Sequence, residues 1–201
     1  KFSFWQFIKR ARESNFVKFV LFISVLHCGA NVAAPYFLLY WLDDLNYSSS
    51  QWIILASAGG ISTIVTLLVW GRFSDLFGNK KTITYCAILI SFTPFLWLVC
   101  ENIYYLIILQ MISMAFWTGL NLSSMNYIYE AASPPKRARC FAYFSVITGI
   151  GVLLGTQIGL FVSTHFPKNL INFDFKSSFC WVLIISGFVR LFACIAFFML
   201  F

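Results

Sequence analysis

The chain has 201 residues, of which 60% are apolar and 10% charged, and its mean hydropathy is +0.82. A soluble domain carries about 25% charged residues, so this composition excludes one and points to an all-α protein embedded in a lipid bilayer. The net charge of +7 lies in short clusters between apolar runs, the distribution that orients membrane helices, so no nucleic-acid partner is implied.

Residues 1–18 interleave Lys1, Lys9, Arg10, Arg12 and Lys18 with Phe2, Phe4, Trp5, Phe7 and Ile8. Such a mixture suits an amphipathic linker lying on the cytoplasmic headgroups. The remainder, 19–201, reads as one transmembrane domain. Its apolar runs at about 19–42, 52–70, 82–100, 104–125, 140–162 and 179–201 are each of a length that crosses a bilayer as a helix. On alternate faces, Lys and Arg number eleven against two, the two being Lys168 and Lys176. That asymmetry predicts a multi-pass protein of the cell membrane with both ends of this segment cytoplasmic. The absence of an initiator Met, and an end at Phe201 inside an apolar run, lead us to expect a segment of a longer chain.

Between the second and third runs lies Gly71-Arg72-Phe73-Ser74-Asp75-Leu76-Phe77-Gly78-Asn79-Lys80-Lys81, expected as a short polar turn at the cytoplasmic surface. Its pattern, G-x-x-x-D-x-x-G-x-K-K, resembles the signature loop of the major facilitator superfamily of secondary transporters. Gly71, Asp75, Gly78, Lys80 and Lys81 fit that loop, while Phe73, Leu76 and Asn79 stand where leucine, arginine and a basic residue are usual. The basic turn Pro134-Pro135-Lys136-Arg137-Ala138-Arg139, followed by Gly149, Gly151, Gly155 and Gly159, is also similar to the family. Gly151, Gly155 and Gly159 are spaced by four, so they share one face and admit a neighbouring helix closely. The resemblance implies one six-helix half of a twelve-helix protein, and the basic leading segment suggests the C-terminal half. Proline is absent from the fifth-run glycine motif, so nothing points to the drug–proton antiporter subgroup.

A repeat fits this reading. Gly29-Ala30-Asn31-Val32-Ala33-Ala34 returns as Gly119-Leu120-Asn121-Leu122-Ser123-Ser124, 90 residues on, and Gly59 falls on Gly149 at the same displacement. Three helices separate the copies, so the second enters the bilayer from the other side, giving two inverted three-helix repeats.

Polar side chains inside a bilayer face a bundle or a wet cavity. Ser24, His27 and Asn31 form one helical stripe, and Gln110, Trp117, Asn121 and Ser124 form another. In the resembled family the first and fourth helices of each half line the central path. These stripes are therefore the expected substrate wall, with amides and imidazole bonding a small-molecule substrate and Trp117 stacking on it. The alternative for Asn31 and Asn121 is bonding between helices. His27 has two readings as well, a carrier of the coupling proton or a neutral donor. Arg190, in mid-span, is expected to pack inward on a polar partner such as Gln157, and Glu130 and Asp75 to pair with Arg72, Arg137 or Arg139 as a cytoplasmic gate.

Cys28, Cys86, Cys100, Cys140, Cys180 and Cys194 are scattered, with no C-x-x-C and no histidine at ligand spacing, so no metal, cofactor or disulfide framework is expected. An enzyme would need a constellation such as H-E-x-x-H, which His27 and His165 do not supply. A six-helix carrier or channel working as an oligomer is the remaining alternative to a transporter half.

Overall fold

A computed structural model describes residues 15–165 and 179–200. Most of the leading segment and positions 166–178 of the last link thus lie outside the described residues. The described residues form six long helices and no strand: α1 Asn15–Ala33, α2 Ser49–Phe77, α3 Asn79–Leu96, α4 Ile103–Ala131, α5 Arg137–His165 and α6 Phe179–Leu200. Five of the spans are long and apolar enough to cross a membrane, α3 being the exception at 18 residues with Asn79, Lys80 and Lys81 in its first turn.

Several helices run past the apolar stretches, because Arg, Lys and Glu are good helix formers and need no apolar surroundings to continue a helix into headgroups or water. The clearest correction is the stretch 71–81. It is not a turn but helix throughout, interrupted at Gly78 alone. Gly78 has φ +87°, a conformation open to a residue without Cβ. Gly71 is an ordinary helical residue with open space around its Cβ position. The third span also differs: Pro94 stands in the last turn of α3, which ends at Leu96 rather than running to Cys100. In the first span, regular helix gives way around Pro35 to a 3₁₀ turn at Ala34–Tyr36, and a π turn follows at Tyr40–Asp44. Proline has no N–H to donate, so the hydrogen-bond ladder shifts there.

The packing repeats between triplets. α1 rests chiefly on α5 and α6, α4 rests on α2 and α3, and α3 meets α6. Exchanging α1–α3 for α4–α6 leaves that pattern unchanged, as two related triplets require. The repeated glycines serve it. A Cβ on Gly29 would sit 2.8 Å from Arg190 Cγ on α6, and one on Gly119 would sit 2.6 Å from the Trp70 ring on α2 and 2.7 Å from Cys86 Sγ on α3. Both glycines therefore admit the third helix of the opposite triplet.

Two apolar cores occupy opposite ends of the bundle. Phe19, Ile23, Ile83, Ile128 and Phe197 belong to one, and Trp41, Leu55, Leu106, Val162 and Leu183 to the other. At the first end Asn79 Nδ2 donates to Glu130 Oε1 (2.7 Å), which puts the α2–α3 junction beside the end of α4. At the second, the Tyr47 hydroxyl donates to the Glu101 backbone oxygen. Burial, with Glu101 and Cys100 nearby, raises the Tyr47 pKa, so the phenol keeps the proton it donates.

Candidate functional site

Two of the cavities among the described helices gather the polar side chains. The first, of about 280 Å³, is walled by the aromatic rings of Phe37, Trp52, Trp97 and Trp117, with Gln110, Ser113, Thr93 and Arg190 as its polar groups. The second, of about 330 Å³, is lined by His27, Asn121, Ser124, Phe144, Ser145, Thr148 and Gly149 among others. His27 and Trp117 stand between them, their ring centroids 5.2 Å apart. Each ring lines one cavity, so the pair lies on the boundary between the two.

The residues expected on the substrate wall are thus divided. Gln110 and Trp117 face the first cavity, and His27 and Asn121 face the second. Ser24 faces neither: it is buried and its hydroxyl donates to the Ile147 carbonyl of α5 (2.7 Å), because the glycine face of α5 draws that backbone within reach. Asn31 turns back on its own helix, Nδ2 donating to the His27 carbonyl (2.9 Å). Gly151, Gly155 and Gly159 are buried against α1, where Cβ atoms would lie 2.4, 2.2 and 2.2 Å from the carbonyl oxygens of Ser24, Cys28 and Val32.

Arg190 is buried at 6% exposure and does not meet Gln157, which is exposed on α5. Its Nη1 donates to the Ile90 carbonyl (3.2 Å) and to Thr93 Oγ1 (3.3 Å) on α3. The reason lies in Pro94. In a regular helix the Ile90 carbonyl would accept from the N–H of residue 94, and proline has none. Thr93 Oγ1 (2.7 Å) and Arg190 supply the donors instead. The expected substrate wall drew only on the first and fourth spans, whereas Thr93 and Pro94 of α3 and Leu183 and Arg190 of α6 also line the first cavity. The available signal was a mid-span arginine together with a proline that frees a carbonyl.

At the end bearing the 71–81 stretch, Glu130 is bonded by Asn79 and not by an arginine. Asn79 is buried at the start of α3 and its amide reaches across to α4, whereas Arg72 and Arg139 are exposed. Arg137 donates from Nε to the Ala132 carbonyl (3.3 Å) and lies over the Tyr129 ring at 5.4 Å. Asp75 is exposed on the last turns of α2, as Lys81 is on the first turn of α3. Among the described residues no group of three His, Cys, Asp or Glu is placed to hold a metal ion.

Comparison with known proteins agrees with this architecture. The chain is 27% identical over 148 residues to the quinolone resistance protein NorA of Staphylococcus aureus strain MRSA252, a match covering 72% of this chain and 38% of NorA. It is 24% identical over 150 residues to the uncharacterized MFS-type transporter YhjO of Bacillus subtilis strain 168, covering 75% of this chain and 37% of YhjO. The chain therefore spans less than two fifths of these relatives in the matched region. Residues 19–201 match the Major Facilitator Superfamily as a whole, taking in all six described helices from Phe19 onward. The chain belongs to the major facilitator superfamily of membrane transport proteins.

Proposed function

We propose that the chain is one six-helix half of a secondary active transporter, carrying a small solute by rocking-bundle alternating access with a second half of the same polypeptide. The observation that carries this reading is the pair of cavities on one bundle, parted by the His27–Trp117 contact. A solute site with a thin partition on its path is what alternating access needs, because a small rearrangement then exchanges which side is open. Gln110 and Trp117 are the wall on one side, with His27 and Asn121 on the other. The Asn79–Glu130 bond and the basic residues of the same end, Arg72, Lys80, Lys81, Arg137 and Arg139, act as the cytoplasmic gate, with Asp75 beside them. Both ends of the segment are then cytoplasmic, by the distribution of Lys and Arg.

The test is solute exchange by the full-length protein in proteoliposomes, beginning with a quinolone because one relative is named for resistance to it. Saturable uptake with counterflow is expected. Trp117→Ala, which opens the partition, is expected to slow counterflow by roughly tenfold while leaving the protein folded, since it removes a positioned aromatic surface worth about 1 kcal/mol or more. Flux that rises linearly with concentration and shows no counterflow would identify a channel and remove the carrier reading.

A further inference from the structure

We propose that the first cavity takes a small aromatic solute bearing a carboxylate, and that Arg190 reads the carboxylate. The inference rests on the transporter reading and narrows it to a substrate class.

Three observations carry it. Arg190 is buried at 6% exposure on the cavity wall, yet only Nη1 is bonded, and Nε is buried with no partner among the described residues. Both groups bonded by Nη1 are neutral, so they orient the guanidinium without balancing its charge. All seven carboxylates of the chain, at positions 13, 43, 44, 75, 101, 130 and 174, lie at or beyond the ends of the apolar spans. A buried cation is tolerated when it is paired, so an anion from outside this segment belongs here.

The geometry specifies what kind of anion. With Nη1 bonded and Nε sealed from the cavity, what Arg190 brings to the wall is its uncompensated charge, and a carboxylate is the planar anion that pairs best with a guanidinium. The Thr93 and Ile90 contacts fix its orientation, and Gly29 leaves room for its stem, with Arg190 Cγ 2.8 Å from where a Cβ would lie. The same cavity is lined by Trp52, Trp97, Trp117 and Phe37, surfaces on which a flat ring stacks. A cavity of about 280 Å³ suits one or two fused rings.

The experiment compares 2-naphthoate with 2-naphthamide, which share a shape and differ in charge, on the full-length protein. Binding is measured by thermal shift and exchange by counterflow. The unmodified protein is expected to bind the naphthoate at least about tenfold more tightly than the amide, as a charge-assisted hydrogen bond predicts. In Arg190→Gln that preference should vanish while the residual affinity for the amide is retained. Equal binding of the two by the unmodified protein would overturn the proposal without any variant having to fold. A preference that survives in Arg190→Gln would overturn it by placing the cation elsewhere. A marked fall in melting temperature of the unliganded Arg190→Gln protein, with no naphthoate preference in the unmodified one, would assign the counter-charge to an acid in the rest of the polypeptide, left unpaired by the substitution, and overturn it too. Saturable exchange of the amide with no charge preference would leave the transporter reading standing and remove the carboxylate alone.

Discussion

The α1–α5 and α2–α4 seams hold equivalent places in the two triplets, yet they tolerate different things. Each sends one serine hydroxyl to a carbonyl of the facing helix, Ser24 to Ile147 at 2.7 Å and Ser62 to Met111 at 2.6 Å. In the first seam, backbone lies on backbone, because Gly155 and Gly159 leave room for the Cys28 and Val32 carbonyls. In the second, Gly59 faces side chains, with Met114 Cγ at 3.0 Å and Gln110 Nε2 at 3.2 Å from its Cβ position. A thioether chain can change rotamer, whereas a helix backbone has nowhere to go. The same architecture is therefore rigid on one side and compliant on the other.

The largest expected difference comes from placing one methyl in each seam. Gly155→Ala puts a Cβ 2.2 Å from the Cys28 oxygen, so the helices must separate, at a cost of about 1–3 kcal/mol as for other overpacked cores. Gly59→Ala needs Met114 and Gln110 to give by a few tenths of an ångström, and the loss should stay under about 1 kcal/mol. Thermal unfolding of the full-length protein in detergent separates the two. Equal losses would break the distinction between the seams.

A smaller effect tests what they share. Ser24→Ala and Ser62→Ala each remove one interhelical hydrogen bond, worth on the order of 0.6 kcal/mol in a membrane bundle. Both should lower the melting temperature slightly and to the same degree. A marked inequality would mean that the two bonds are not counterparts.

What the sequence disclosed follows from what each feature depends on. Apolar runs and the four-residue glycine spacing are local, so the helices and the face carrying Gly151, Gly155 and Gly159 were readable directly. The 71–81 stretch misled because charge clusters look like loops, although charged residues propagate a helix well and only the φ of Gly78 breaks it. The cavity walls were the least readable part. Gln110 and Trp117 fell on a polar stripe, but Thr93, Trp97 and Arg190 come from helices whose place in the bundle depends on distant packing. Ser24 and Asn31 show the converse, since polar periodicity does not say whether a side chain meets solute, its own backbone or the next helix.

An effect of opposite sign is expected where the repeat suggests a large loss. A displacement of 90 residues matches Gly149 to Gly59, yet a Cβ on Gly149 meets nothing within 4 Å while one on Gly59 meets Met114 and Gln110. Gly149 lies two residues before Gly151, about 200° around the helix, so it turns away from α1 and lines the second cavity. With a helical backbone and open space, Gly149→Ala should stabilise the protein by roughly 0.4–1 kcal/mol through the lower entropy of its unfolded chain. The added methyl narrows the second cavity next to His27 and Asn121, so solute exchange should fall even as the melting temperature rises. A loss of stability as great as that of Gly155→Ala would put Gly149 on the packed face of α5, and the assignment of the second cavity would fall with it.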